Sequence, residues 1–345
     1  MTTYKEAGVD IEKKKALLKK VGGHVKATFD KRVMSSETLF KSMLVSASEL
    51  KSYKEPMLAF NADGAGTKTV IAAMMNSWKG IGHDIVNHCI NDILTMGAKP
   101  LCFSDYIASD KLKPEIVEEI VKGVAECCMM NRIILTGGET AEMPGVYSSG
   151  AVDVAGFILG AAEKSRVIDG RNIADGDALI GLASTGLHTN GFSLARKALF
   201  EGEGKVYDAQ QRFPELKMKL GEALLAPHRN YLKTTLAVME QHKINGIAHI
   251  TGGSFGKNIA RILPKGLGAE ISRGSWQPLP IFRMIQKAGN VAEEEMYRTF
   301  NMGIGYVYAV GKADAQGVLQ LLRQLKENAR VIGWTVKGEG VKFVD

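Results

Sequence analysis

Several clusters of residues in this 345-residue chain combine types and spacing suited to a phosphate chain or a metal ion. The first is Asp63-Gly64-Ala65-Gly66-Thr67-Lys68. Gly64 and Gly66 let the backbone approach a polyphosphate and offer N–H donors, Lys68 adds positive charge, and Asp63 could hold Mg2+. The Walker A pattern G-x-x-x-x-G-K-[ST] is absent. The competing reading is a surface turn with an ordinary lysine.

A second cluster is the polar side of a helical stretch, residues 84–96. Asp84 and Asn91 are seven apart and share a face, with Asp92 beside them. Mg2+ takes a few carboxylates plus phosphate oxygens, which suits such a face near a glycine loop; the competing reading is a solvated helix face. His83 and His88 are five apart and miss the i, i+4 spacing of helical zinc pairs. A third cluster, 137–145 (GGETAEMPG), reads as a Gly/Pro-bounded loop after a buried strand. There Glu139 or Glu142 could bind metal or handle protons, against a role in capping or turn structure. A fourth is the pair of loops 184–193 and 249–258, whose small, hydroxyl and amide residues suit phosphate or sugar hydroxyls. They carry His188 and His249 as acid–base candidates, although a lone histidine is more often structural. Arg298 could pair with phosphate or sit in an ordinary ion pair.

The elements that must position these residues follow from periodicity. Residues 57–61 read as a strand running into the glycine loop, and Ile85, Val86, Cys89, Ile90, Ile93 and Leu94 form the apolar side of helix 84–96. Leu101 to Ile107 reads as a strand carrying Asp105. Pro114 opens a helix with Ile116, Val117, Ile120, Val121 and Val124 on its core face. Ile133 to Leu135 and Val152 to Ala162 are strands. The second half repeats the style, with strands at 178–183, 247–250, 303–310 and 331–336 and helices between them. The Gly/Asp-rich segment 170–177 marks a boundary. It leaves an arm over 1–55, one domain over 56–169 and another over 170–345. The pattern predicts an α+β fold, each domain a mixed or antiparallel sheet with helices packed on one face.

Composition is that of a globular protein, with 45% apolar and 23% charged residues. The net charge is +7, and residues 1–31, with eight lysines against four acids, supply +4 of it. That reads as a solvated helix face; aromatic interleaving is too poor for a nucleic-acid arm. The four cysteines form no C-x-x-C, so neither a disulfide framework nor a zinc finger is expected. The opening MTTYKEAGVD lacks a signal-peptide core, and no apolar run is long enough for a membrane span. A cytoplasmic location and no membrane partner are therefore expected.

Taken in order, YKEAGVD (4–10), ADGAGTK (62–68), INDILTMGAKP (90–100), TGGETAEMPG (136–145), DVAGF (153–157), TGLHTNGFSL (185–194), LLAPHRNY (224–231), AHITGG (248–253), NIARILP (258–264) and EMYRTFNMGIG (295–305) span nearly the whole chain. In these stretches it resembles the phosphoribosylformylglycinamidine cyclo-ligases. The resemblance implies two domains, with a homodimer formed through the N-terminal ATP domains. It implies ATP- and Mg2+-dependent closure of formylglycinamidine ribonucleotide to aminoimidazole ribonucleotide in purine biosynthesis. By motif position it points to Asp63, Asp92, Glu139 and then Asp84 for metal. It assigns Gly64, Gly66, Thr67, Lys68, Asn91, Gly137, Gly138, Thr189, Asn190, Gly252 and Gly253 to nucleotide or substrate, and Lys68, His188 and His249 to catalysis. The alternatives are a non-catalytic nucleotide-binding paralogue and a related phosphoryl-transfer enzyme with another substrate. Three departures from the family pattern stand out: no glycine in 32–52, Ser254 where the family has a third glycine, and Lys257 where it has an acid.

Overall fold

The computed structural model describes residues 11–34, 43–201 and 206–345. The 4–10 motif and residues 35–42 of the glycine-free stretch lie outside them. The chain divides into two units. The first takes the described residues up to Ile93 and those from Ala98 to Ser165; the second takes Leu94–Gly97 and Arg166–Asp345.

Unit 1 contains, in order, α1 (Ile11–Lys26), β1 (Val33–Met34), β2 (Leu44–Val45), β3 (Pro56–Gly64), α2 (Lys68–Met75), α3 (Lys79–Leu94), β4 (Lys99–Ser109), α4 (Pro114–Met130), β5 (Ile134–Glu142) and β6 (Val152–Glu163). Its main sheet has the order β3-β6-β4-β5. Strands β4 and β5 run parallel and the other pairs antiparallel. Helix α4 starts on Pro114, whose missing N–H costs nothing at a first helical position. Of the predicted face it buries Val117, Ile120, Val121 and Val124, while Ile116 is half-buried. Leu17 and Val21 of α1 are buried where that helix packs on α4. Helices α3 and α4 touch backbone to backbone. A Cβ on Gly82 would stand 2.2 Å from the Ile120 carbonyl oxygen, and one on Gly123 would stand 2.1 Å from that of Lys79.

Strand alternation divides β3 between two faces. Ala59, Asn61 and Asp63 face the helices, whereas Leu58, Phe60 and Ala62 are exposed on the other side. Register places Asp63, Gly156, Asp105 and Gly138 in one row across β3, β6, β4 and β5. Gly156 has no room for a side chain, because a Cβ there would lie 2.4 Å from the Phe103 ring and 2.8 Å from Ile85.

Unit 2 contains β7 (Ala178–Ala183), α5 (Phe192–Phe200), β8 (Arg212–Phe213), β9 (Met218–Lys219), α6 (Leu220–Leu224), α7 (Leu232–Gln241), β10 (Gly246–His249), α8 (Ser254–Ala260), β11 (Leu267–Ser272), α9 (Pro280–Ala288), α10 (Glu293–Thr299), β12 (Ile304–Val310), α11 (Ala315–Gln324), β13 (Ala329–Lys337) and β14 (Val341–Val344). Six strands pair in the order β10-β12-β7-β13-β11-β14, with only β11–β14 parallel. All seven residues of β12 are buried, and a strand covered on both faces reads as the unbroken apolar run IGYVYAV. Each Ile or Val buried this way stabilises the fold by roughly 1.5–3 kcal/mol.

Both units are α+β with mixed sheets and packed helices, as the periodicity predicts. Two local expectations change. The segment 137–142, read as a loop, is the continuation of β5, because its backbone pairs with β4 from Asp105 to Ser109. The polar side of α3 is not a solvated face: Asp84, Asn87, His88 and Asn91 are all buried, and the contacts below explain how.

Candidate active site

In unit 1 the site begins where β3 ends. The Asp63 carboxylate accepts the Gly64 N–H at 2.7 Å, and Ala65 donates to the Val154 carbonyl at 2.8 Å, which ties the glycine turn to β6. Gly66 adopts a left-handed φ of +59°, a conformation that favours glycine. Thr67 is exposed, and Lys68 opens α2.

The Lys68 side chain turns inward. Its Nζ lies 2.7 Å from Asp84 Oδ2 on α3, and both side chains are 0% exposed. Burial drives the Lys68 pKa down, and the Asp84 charge opposes that shift without cancelling it. Two residues expected at phosphate and metal are thus given to each other. A buried charge without its partner costs several kcal/mol, so the pair holds α2 against α3.

Asp63 and Asp92 behave differently. Their side chains are 40% and 23% exposed, and His88 Nε2 lies between them, 3.1 Å from Asp63 and 3.6 Å from Asp92. Asn61 Nδ2 donates to Asp92 at 3.2 Å. Burial alone would lower the His88 pKa, but the two carboxylates outweigh it and the net direction is up. Burial also raises Asp63, and hydrogen bonding and charge from His88 reverse that, leaving it below its ordinary value. The set is two partly exposed carboxylates, Asp63 at the end of β3 and Asp92 on α3, a donor set of hard oxygens that fits Mg2+ shared with phosphates. Asn91, on the same helix, is fully buried.

Glu139 stands elsewhere. It pairs with Tyr106, one residue off the row of Asp63, so it occupies the opposite, exposed face of the sheet. Three strand spacings separate β5 from β3, about 14 Å at ~4.8 Å each. Within this unit Glu139 and Asp63 therefore do not share an ion. Gly137 has a φ of +92° and open space around its Cα. Gly138 presses on Asp105, and a Cβ there would stand 2.3 Å from the Asp105 carbonyl oxygen. Asp105 itself is buried, and burial pushes its carboxyl up to about 7.

In unit 2 the loop after β7 is pinned by Ser184 and Asn301. Ser184 Oγ donates to Asn301 Oδ1 at 3.0 Å, and Asn301 Nδ2 donates to the Gly186 carbonyl at 2.9 Å. His188 sits in that loop at φ +62°, a left-handed conformation costing a side chain roughly 1–2 kcal/mol. Its ring stacks on His228, which in turn meets His249 at the end of β10. Gly305 of β12 is bare where His188 and Tyr231 crowd in; a Cβ would lie 2.3 Å from Tyr231 Oη. Asn190 approaches the second loop, its Oδ1 3.3 Å from where a Cβ on Gly252 would be. Gly252 and Gly253 are exposed. Ser254, the residue in place of a family glycine, has φ +47° and donates to the Phe300 carbonyl at 2.5 Å. Lys257 is exposed, its stem lying against Gly253. The Arg298 side chain is 82% exposed, with Glu295 3.8 Å away.

So Asp63, Asp92 and the glycine turn come together, as do His188, Thr189, Asn190, His249 and the 252–253 turn. Lys68 with Asp84, and Glu139, stand apart from the first group. Sequence reading gave no role to His88, His228 or Asn301. His228 and Asn301 lie inside motifs quoted for other residues, and His88 lies on the polar side of helix 84–96, where only its zinc spacing was weighed.

Fold and site together define an AIR synthase related protein. The family model for the N-terminal domain of that class matches residues 47–162, and that for the C-terminal domain matches 174–345. A Brevibacillus brevis protein named phosphoribosylformylglycinamidine cyclo-ligase is 46% identical over 336 residues, covering 97% of this chain and 96% of its own. One of the same name from Thermoanaerobacter pseudethanolicus is 46% identical over 337 residues, covering 98% of each. The chain belongs to the phosphoribosylformylglycinamidine cyclo-ligase family, ligases of purine biosynthesis. At the level of fold alone, it is similar to a thiamine-monophosphate kinase from Stenotrophomonas maltophilia, with a TM-score of 0.68, 15% identity and 95% of each chain covered. The T. maritima PurL complexed with ATP gives a TM-score of 0.55 at 15% identity, over 84% of this chain and 42% of that one.

Proposed function

We propose that this chain closes the imidazole ring of aminoimidazole ribonucleotide from formylglycinamidine ribonucleotide, consuming ATP. The observation that carries the reading is the full-length relationship at 46% identity. The formyl oxygen is a poor leaving group, and transfer of the γ-phosphoryl of ATP makes it a good one. The amidine nitrogen then attacks the formyl carbon and phosphate departs. Little covalent work falls to the protein, so its task is positioning and charge neutralisation.

In this reading Asp63 and Asp92 hold Mg2+, which neutralises phosphate charge when bound. The N–H groups of the 64–67 turn face the nucleotide. The Lys68–Asp84 pair supports that turn from below rather than touching phosphate. Thr189, Asn190 and the 252–253 turn hold substrate or phosphate oxygens. Residues 56–169 form the ATP domain and 170–345 the second domain. A homodimer through the first domain is supported by its uncovered sheet face, where Leu58, Phe157 and Phe60 are exposed, the last at 71%. A cytoplasmic location is supported by four free cysteines. Among the described residues, no helix is long and apolar enough to cross a membrane.

The test is an assay with Mg2+, ATP and formylglycinamidine ribonucleotide, following ADP and aminoimidazole ribonucleotide together. Equal formation of both is expected. ATP binding with neither product would replace this reading with that of a nucleotide-binding paralogue. Asp63→Asn should lower kcat by about 100-fold or more while ATP binding weakens far less, since charge neutralisation matters most in the transition state.

A further inference from the structure

Asn61 lies two residues before Asp63 on β3 and shares its helix-facing side. The neighbours on that side are apolar. Ala59 is buried, and across the ladder Asn61 pairs with Ile158, also buried. Local packing at 61 therefore suits an apolar side chain, yet the chain places an amide there.

The two ends of that amide fare differently. Nδ2 donates to Asp92 Oδ2 at 3.2 Å. Oδ1 is buried and accepts a hydrogen bond from none of the described residues. Donor chemistry fixes this orientation, because a carboxylate oxygen only accepts and turning the amide over would set oxygen against oxygen. A buried acceptor without a donor opposes folding. The contact also gives little stability in return, since the Asp92 side chain is 23% exposed and water can take the place of Asn61 on it. What the contact does do is hold the Asp92 carboxylate where it stands, with His88 Nε2 3.6 Å from the same oxygen and Asp63 on the far side of that ring.

Asn245 in unit 2 shows the other use of the same pairing. Its Nδ2 donates to Asp177 Oδ2 at 2.8 Å, and its Oδ1 is orphaned as well. There the carboxylate is buried and also accepts the Ala174 N–H at 3.1 Å, so the asparagine completes a closed structural cap. An orphaned amide oxygen alone is no mark of function. The partly exposed carboxylate that Asn61 holds, and its place beside Asp63, set that residue apart.

We infer that Asn61 is a positioning residue of the cation site, holding Asp92 in place to bind the ion at some cost in stability. This rests on the reading of Asp63 and Asp92 as the Mg2+ carboxylates. Carboxylates that bind a metal are themselves held by hydrogen bonds, and loss of such a partner typically weakens metal binding roughly 10- to 100-fold.

The test measures binding of Mn2+, which suits the same oxygen ligands as Mg2+, to the full chain with a non-hydrolysable ATP analogue. Free Mn2+ is counted by its EPR signal, and thermal unfolding is followed on the same samples. Asn61→Ala should weaken Mn2+ binding about 10-fold and keep Tm within about 2 °C of wild type or raise it. Its kcat should return to within about twofold of wild type once Mg2+ is saturating, because the defect is one of affinity. Asn245→Ala should do the reverse, lowering Tm and leaving Mn2+ binding as it was. Wild-type Mn2+ affinity in Asn61→Ala overturns the inference. So does a Tm that falls by about 5 °C or more along with the affinity, the signature of lost packing, and so does an equal loss of Mn2+ in Asn245→Ala. Asp92→Asn separates the two levels: unchanged Mn2+ binding in that variant removes the carboxylate reading itself, and the inference with it. A chain that binds Mn2+ as expected but forms no product removes the ring-closure reading alone.

Discussion

At the residue scale, the charged groups of unit 1 separate into one pair made for stability and one set left accessible. Lys68 and Asp84 are fully buried and form an ion pair at 2.7 Å. Lys68→Met should destabilise the protein by about 3–5 kcal/mol, because it strands the Asp84 charge. Adding Asp84→Leu should recover most of that loss, and thermal unfolding of the two variants checks both halves. The His88 contact has a pH signature. Its pKa is raised above 6.5, so its contribution is fully present below 6.5 and disappears as pH climbs through the folded value. Asp63 is lowered from 3.8, so its share is present above 3.8 and is lost as pH falls through the folded value. The contact therefore stabilises most between 3.8 and 6.5. The difference in Tm between wild type and His88→Gln should be widest near about pH 5.5 and shrink toward about pH 9. Little of this was legible in the linear chain. Asp63, Asp92 and the glycines are recognisable by type and spacing, but nothing in the spacing says that Lys68 turns inward to meet Asp84.

At the element scale, helices with strong apolar periods were the readable part. Helix α4 opens on Pro114 as predicted and buries Val117, Ile120, Val121 and Val124 of the face its period selects. The errors fell where pairing or charge overrides local pattern. Strand β5 continues through Gly137 and Gly138 because β4 supplies backbone partners. Helix α3 has polar residues on its second side that look solvated until the carboxylates and the lysine they meet are in place. The contact between α3 and α4 depends on two glycines, so Gly82→Ala must push the helices apart. It should cost about 1–3 kcal/mol, as overpacking does, and denaturant melts should show a lower midpoint with an unchanged slope.

At the scale of the whole molecule, the four-stranded sheet is covered by helices on one face and leaves Leu58, Phe60 and Phe157 exposed on the other, with β3 at its edge. Scattered apolar residues need no explanation, but a contiguous set on one sheet face is what the proposed dimer would cover. Light scattering should give a mass twice the 37.4 kDa of the chain, and Phe60→Glu should shift it to the monomer. A wild-type monomer would remove the dimer from the proposal. The sequence suggested this partner only by family resemblance. Local periodicity cannot tell a face that is bare in the monomer from one covered by the rest of the chain.

The crowded place between Asp63 and Asp105 has a historical consequence. Gly156 is kept bare by side chains, the Phe103 ring and Ile85, and not by backbone. Its neighbour in the row, Gly138, is blocked by a carbonyl and has no such freedom. Substitutions at 156 and 103 are therefore ordered in time. A lineage can acquire alanine at 156 only after 103 has shrunk, for instance by Phe103→Leu, and the reverse order passes through a misfit. Aligned descendants should show the two sizes trading against each other, while position 138 stays glycine whatever stands at 105.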